Sequence, residues 1–255
     1  MGVSGTNFGK AAGDYGAFRA GFPESIFSRL AEVGIGTDPQ VIVDLGTGTG
    51  SLARGFARRG CEVIGVDPDL RMIQVAIERD QASGVRTRYL QARAEATGLD
   101  AGVADAVTAG QCWHWFQEPE ALAEVRRVLK PGGRIAIVSF DWLPLPDNVV
   151  EATEALITEH NPAWHLGGGD GTHREFLPGL ERAGAREVQT FAYDVDTPYT
   201  PEAWRGRIRA SAGVAALDPQ AVQRFDDDLA ELLSRRGHGS ELAVPHRVFA
   251  ITAAL

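Results

Sequence analysis

Up to about residue 140, compact apolar runs alternate with longer stretches of amphipathic spacing. Val41-Ile42-Val43, Glu62–Val66, Val85–Gln91, Ala104–Gly110 and Arg134–Phe140 are short and largely apolar, as strands covered on both faces are. Between them, apolar residues recur every three or four positions. Ile26, Phe27, Leu30 and Val33 do so after Pro23, Met72, Ile73, Val75 and Ala76 within Asp69–Ala82, and Leu122, Val125, Val128 and Leu129 within Pro119–Leu129. That spacing predicts helices with one buried face. Gly34 and Gly36 end the first helix, Asp69 suits an N-cap, and Lys130-Pro131-Gly132-Gly133 turns the chain back toward the sheet. Strand–helix alternation of this kind predicts an α/β fold, a doubly wound and mostly parallel sheet.

After Phe140 the alternation breaks. Pro144 and Pro146 punctuate a connection to a helix from about Asn148 to His160. A helix over Glu175–Ala183, a strand over Val188–Val195, helices over Thr200–Ala212 and Pro219–Arg236, and a last strand over Val244–Ala253 complete the pattern, seven strands in all. Gly167-Gly168-Gly169-Asp170-Gly171 follows no strand and opens no helix, so it reads as a mobile connection rather than a phosphate cradle.

The chemistry concentrates where the first strand meets its turn, VIVDLGTGTG (Val41–Gly50). Glycine lets the backbone turn tightly and approach a ligand closely, and the helix opening at Leu52–Phe56 points free N–H groups at the same place. A dinucleotide fingerprint would be G-x-G-x-x-G or G-x-G-x-x-A, and its third position here is Ser51. The glycines instead repeat as G-x-G-x-G with Asp44 two residues upstream. A carboxylate there repels a pyrophosphate but attracts a cationic amino-acid group. Asp44, Gly46, Gly48 and Gly50 resemble the first motif, D-x-G-x-G-x-G, of the class I S-adenosylmethionine-dependent methyltransferases.

Asp67 closes the second strand 21 residues beyond Gly46, where a βαβ unit returns the chain beside its first strand and a carboxylate can accept both ribose hydroxyls. The resemblance implies S-adenosylmethionine as cofactor and S-adenosylhomocysteine as product, with Thr47 in the loop and Pro68 and Met72 bordering the adenine. Ala92-Arg93-Ala94-Glu95 stands where the family has Gly-Asp-Ala. The Ala94 N–H is then a candidate donor to the base, and Glu95 a substitute for the acid that Arg93 displaces. The fourth strand delivers Gln111-Cys112-Trp113-His114-Trp115-Phe116 to the carboxyl edge of the sheet, where such folds bind ligands. This segment resembles the Q-x-x-H-W-F of small-molecule methyltransferases akin to the trans-aconitate type. Gln111 and Trp113 are expected at the cofactor, and His114 as the base that takes a proton from an acceptor. The opposing reading has Trp113 and Trp115 packing the next helix and His114 satisfying a backbone carbonyl. The resemblance further implies a Rossmann-like fold with the last strand antiparallel, and Phe8, Tyr15, Phe18 and Phe22 on an arm that folds over the cofactor.

Residues 1–140 are expected to hold the arm and the cofactor-binding core, and residues 141–255 the rest of the same domain, with helical lid insertions at about 141–172 and 198–240. A net charge of −9 without a basic stripe argues against nucleic acid, so the expected partner is a small-molecule acceptor. The pairs Arg58-Arg59 and Arg126-Arg127 read as solvated helix surface. Cys61 and Cys112 have no metal or disulfide spacing, and no apolar run reaches membrane length, which fits a cytoplasmic enzyme without a metal or membrane partner. Two rivals stay open: a protein that uses S-adenosylmethionine without transferring its methyl, as in a cyclisation, and a nucleotide-dependent oxidoreductase, disfavoured by Ser51 and Asp44.

Overall fold

The computed structural model describes residues 21–237 and 239–255. Seven strands, β1 (Val41–Leu45), β2 (Glu62–Asp67), β3 (Arg88–Gln91), β4 (Ala104–Gly110), β5 (Leu129–Trp142), β6 (Arg186–Tyr199) and β7 (Leu242–Ala254), form one sheet in the order β3-β2-β1-β4-β5-β7-β6. Strands β3, β2, β1, β4 and β5 run parallel. β7 is antiparallel: Leu255 N donates to Gly133 O at 3.2 Å, and Leu143 N to Pro245 O at 2.9 Å, so numbering rises along β5 as it falls along β7. Helices α1 (Glu24–Glu32), α2 (Ser51–Ala57), α3 (Leu70–Ala82) and α4 (Glu118–Val128) connect or flank the first five strands. The later helices are α5 (Val149–His160), α6 (Leu177–Arg182), α7 (Pro201–Arg209), α8 (Ala212–Ala215) and α9 (Pro219–Arg235).

The chain divides into two compact units. One comprises residues 21–140, 172–193 and 248–255. Its core is made by the central strands, with Val43, Leu45, Val107, Ile135 and Ile251 buried against Leu122 and Val125 of α4. Burying one such side chain fully is worth about 1.5–3 kcal/mol, so the strands most covered on both faces carry most of the stability. α1 lays Phe27 edge-on to Phe56 of α2, ring centroids 5.0 Å apart, over Gly55, where any side chain would collide with the Phe27 ring. The other unit comprises residues 141–171 and 194–247. Its core joins Val150 and Ile157 of α5 to Trp204 of α7 and Phe225 and Leu229 of α9, and the Trp204 indole N–H donates to Thr153 Oγ1 at 3.1 Å. Among the described residues no helix is long and apolar enough to cross a membrane.

Several boundaries differ from the sequence expectation. β3 spans four residues rather than seven, because it is an edge strand whose only partner, β2, pairs with Arg88–Gln91 alone. Lys130–Gly133 is not a turn ahead of β5 but a bulge within it: Ala104 pairs with Leu129 and Ala106 with Arg134, so the intervening residues arch out, with Gly132 at φ +80°. The expected helix Glu175–Ala183 starts as a 3-10 turn over Arg174–Phe176 before α6, and Thr200–Ala212 stops at Arg209. The glycine-rich segment 167–171 is tied down, Gly168 N donating to Glu154 at 2.8 Å and Asp170 O accepting from Arg247 at 2.9 Å. The paired arginines are anchored too: Arg59 binds Glu24, Arg127 binds Glu124, and Arg126 donates to Ala183 O.

Candidate active site

The loop after β1 is built by collisions as much as by conformation. Gly46 (φ +60°) would place a Cβ 2.7 Å from Cys112 Sγ, so only glycine lets β4's extension close against β1. At Gly48 (φ +54°) the nearest outside atom is Gly46 O at 4.0 Å, so this side of the loop faces open space. A cradle whose walls are backbone fits a ligand that must approach the main chain. The loop is pinned from below: Thr47 N donates to Val66 O at 3.0 Å and Gly48 N to Asp67 Oδ2 at 2.8 Å. From the side, Arg54 bonds Thr49 O at 3.0 Å while its other nitrogen pairs with buried Asp80 at 2.6 Å, and Tyr89 donates to the same carboxylate.

Two acids serve this loop differently. Asp44 is 2 % exposed, and its oxygens accept from the hydroxyls of Thr47 and Thr108, each at 2.7 Å. Burial pushes its carboxyl up to about 6, against the pull of those hydrogen bonds and with a smaller contribution from neighbouring Asp67. It sets a negative potential beneath the glycines. Asp67, at the end of β2, accepts from Gly48 N and, at 2.9 Å, from Asp69 N. A carboxylate has about four lone-pair sites, so two bonds leave Asp67 capacity for a diol. Burial raises its carboxyl as well.

Along the same edge, Asp69 caps α3 by accepting from Arg71 N at 2.9 Å. Pro68 is exposed, Met72 is buried in the core, and Leu70 in the first turn of α3 is 57 % exposed. Leu70 is thus the apolar side chain presented beside Asp67, a residue that sequence reasoning passes over because periodicity favours the inward Met72. Ala94 is buried, and Glu95 accepts from Gln117 N at 2.8 Å and from Arg93 Nε at 3.2 Å. The segment is held to α4 by Glu124, which accepts from both the N–H and hydroxyl of Thr97 and pairs with Arg127 at 2.7 Å.

β4 ends in a strained residue. Gln111 has φ +60°, and its N–H and side-chain amide donate to Val138 O at 2.9 Å and Phe140 O at 2.6 Å, fastening β4's extension to β5. The Cys112 thiol donates to Leu45 O at 3.1 Å. Trp113 is buried and meets Phe116 edge-on at 5.5 Å, whereas Trp115 is 46 % exposed, so only the first tryptophan packs as the opposing reading has it. His114 is exposed with its ring 4.8 Å from that of Trp115. Ser51 accepts from Phe22 N at 3.2 Å, and the Phe22 ring lies 6.2 Å from Phe140; the expected arm residues Phe8, Tyr15 and Phe18 lie outside the described residues.

A cavity of about 290 Å³ opens on the β5 and β7 side of this segment. Gln111, Cys112, Trp113 and His114 form one wall, and His173, Phe176 and Phe249 another. The structure therefore gathers Asp44, Gly46, Thr47, Gly48, Gly50 and Asp67 into the loop and β2 end, and places Gln111, Trp113 and His114 at the cavity. Cys112 touches both groups. His173, Phe176 and Phe249 carried no sequence signal, since they join Trp113 only through the placement of β7 beside β5.

Residues 43–137 match a family model described as a methyltransferase domain. An uncharacterized methyltransferase of Mycobacterium tuberculosis is 36% identical over 132 residues, 52% of this chain and 51% of that protein. The demethylmenaquinone methyltransferase of Thermus thermophilus is 38% identical over 115 residues, 44% of this chain and 52% of that protein. The chain thus spans about half the length of the curated relatives it matches. Among solved structures, a protein of Anaeromyxobacter dehalogenans provisionally assigned as a type II methyltransferase superposes with a TM-score of 0.63 at 24% identity, covering 93% of this chain and 97% of that one. The Haemonchus contortus phosphoethanolamine N-methyltransferase 2, in complex with phosphomonomethylethanolamine and S-adenosylhomocysteine, superposes with a TM-score of 0.56 at 18% identity, over 98% of this chain and 57% of that one.

Proposed function

We propose that this chain, whose residues 43–137 form a class I S-adenosylmethionine-dependent methyltransferase domain, transfers a methyl group to a small-molecule acceptor held in the cavity beside β4. The observation that carries this reading is the backbone cradle at Gly46–Gly50, open over Gly48 and bounded by Asp67 at the end of β2. Asp67 would take the ribose hydroxyls and Gly48 and Gly50 the approach of the nucleoside. The buried Asp44 would supply the potential that an amino-acid ammonium needs. Pro68, Leu70 and Met72 would flank the adenine, with the Ala94 N–H and the Glu95 region at its edge. Gln111 and Trp113 would fix the strand end against which the methionine portion lies. S-adenosylmethionine, when bound, supplies a methyl carbon already activated by its sulfonium. The protein's share is then to position the acceptor, exclude water, and take a proton where the acceptor carries one. His114 lines the cavity and is the group proposed for that proton.

The named relatives act on a demethylmenaquinone and on phosphoethanolamines, chemically remote acceptors, so the acceptor class here rests on the cavity rather than on kinship. Two buried, unbridged thiols accord with work in a reducing cytoplasm. Calorimetric titration of the protein with S-adenosylhomocysteine tests the cofactor assignment. Asp67→Ala is expected to weaken that affinity at least tenfold, about 1.4 kcal/mol. Equal affinity in the variant would remove Asp67 from the ribose role.

A further inference from the structure

The cavity at the end of β4 contains a second imidazole. His173, on the segment leading into α6, faces the cavity from the wall that includes Phe176 and Phe249. Its ring is stacked on Phe176 with centroids 5.6 Å apart and planes 6° from parallel, and lies 6.5 Å from Phe249. Its Nδ1 is 3.0 Å from Glu175 Oε1. A carboxylate accepts from Nδ1–H, which puts the lone pair of the neutral ring on Nε2, the nitrogen through which the side chain can act on a bound group. Stacking and the Glu175 bond together fix both the plane and the tautomer of this imidazole.

The rest of the lining selects what that imidazole meets. Ile137, Val138, Phe176, Phe249 and Ile251 make it mainly apolar. The Gln111 amide is bound to Phe140 O, and no Lys, Arg, Asp or Glu occurs among the described residues that line it. A carboxylate, phosphate or ammonium on the acceptor would therefore be desolvated there without a countercharge, at a cost of several kcal/mol. An uncharged molecule of one or two rings meets no such cost, and a volume of about 290 Å³ suits that size.

We propose that His173, oriented by Glu175, is a proton-accepting residue of the acceptor site, and that the acceptor is a small uncharged hydroxy compound of phenol or enol type. This rests on the methyltransferase reading above and adds the substrate class and a second base to it. The hydroxyl O–H bond breaks as its proton passes to His173 Nε2. The oxygen then bonds to the methyl carbon, the electron pair of the broken C–S bond stays on sulfur, and the imidazolium returns its proton to solvent. Glu175 is a positioning residue, because it acts only through His173.

The test is a titration of the S-adenosylhomocysteine complex with 4-nitrophenol, whose phenolate absorbs visible light and whose neutral form does not. Below the phenol's solution pKa, the wild-type complex is expected to show a phenolate band for the bound ligand. His173→Gln should weaken binding about tenfold and remove most of that band. Glu175→Gln changes an exposed side chain, so the fold should tolerate it, and it should lower the phenolate fraction several-fold while leaving S-adenosylhomocysteine affinity intact. Spectra and affinities unchanged in both variants would overturn the role of His173. A wild-type complex that takes up 4-hydroxybenzoate but not 4-nitrophenol would overturn the uncharged-acceptor class. Failure of the wild-type protein to bind S-adenosylhomocysteine in the same calorimeter would instead overturn the methyltransferase reading, which keeps the two apart.

Discussion

At the scale of single residues, Asp44 should dominate the pH behaviour of the cofactor loop. Its carboxyl sits at about 6 in the folded chain against an ordinary aspartate value of 3.8, so what it contributes to stability is complete below about pH 4 and lost as pH rises through 6. A rise of about two units corresponds to roughly 3 kcal/mol between the two protonation states. Asp44→Asn removes that buried charge and one accepted hydroxyl bond, the latter worth about 1 kcal/mol. The variant should therefore melt higher than wild type at pH 8 and no higher at pH 4. Its S-adenosylhomocysteine affinity should drop about tenfold and lose the rise that wild type shows between pH 5 and 7, because an ammonium favours the ionised carboxylate. Parallel melting curves at both pH values would refute this assignment of the buried charge. The acid itself was legible, since the motif places it two residues before Gly46. Its partner Thr108 was not: it stands opposite Asp44 only because β1 and β4 pair in that register, a contact across 64 residues.

At the scale of elements, what could be read was whatever depends on local spacing. β4 begins and ends where its apolar run does, at Ala104 and Gly110, and the Asp69 and Asn148 caps fall at the positions their side chains dictate. What escaped depends on neighbours. Val85–Thr87 have strand-forming side chains, yet β2 offers them no partner, and the Lys130–Gly133 bulge follows from how β5 must meet β4. The segment carrying Ala94 and Glu95 has no strand or helix of its own beyond a single bridge between Arg93 and Ala96, so it depends on Glu124 of α4. The Arg127 guanidinium, then the Thr97 hydrogen bonds, hold Glu124 down to about 2 despite its burial. Its stabilisation is present above the ordinary glutamate range and is lost as pH falls toward 2. Glu124→Gln should cost roughly 2 kcal/mol at pH 7, and the difference from wild type should narrow in acid. Hydrogen exchange should show residues 92–99 opening first; uniform exchange across the chain would place the anchor elsewhere.

At the scale of the whole molecule, the order β3-β2-β1-β4-β5-β7-β6 decides which distant segments share the site. The first five strands announce themselves, each being a short apolar run followed by a helix or a turn. The cavity did not, because Trp113, His173 and Phe249 belong to three stretches that approach only when β7 inserts antiparallel beside β5. Placement of the cradle at β1, β2 and β4, with the cavity at β4, β5 and β7, makes a strong claim about ligand choice. The loop carries a buried acid and, at Ser51, a residue already engaged by Phe22 N, where a dinucleotide fingerprint would have Gly or Ala. Ligands that bind only the folded chain raise its melting temperature by mass action. S-adenosylhomocysteine at a hundred times its dissociation constant should stabilise by about 2.7 kcal/mol. For a chain of this size that is a shift of roughly 5–10 °C. NAD at equal concentration should produce none, since its pyrophosphate would have to lie over Asp44 and Asp67. A shift with NAD and none with S-adenosylhomocysteine would mean that the acid beneath the glycines does not select the ligand, and the cofactor assignment would fall with it.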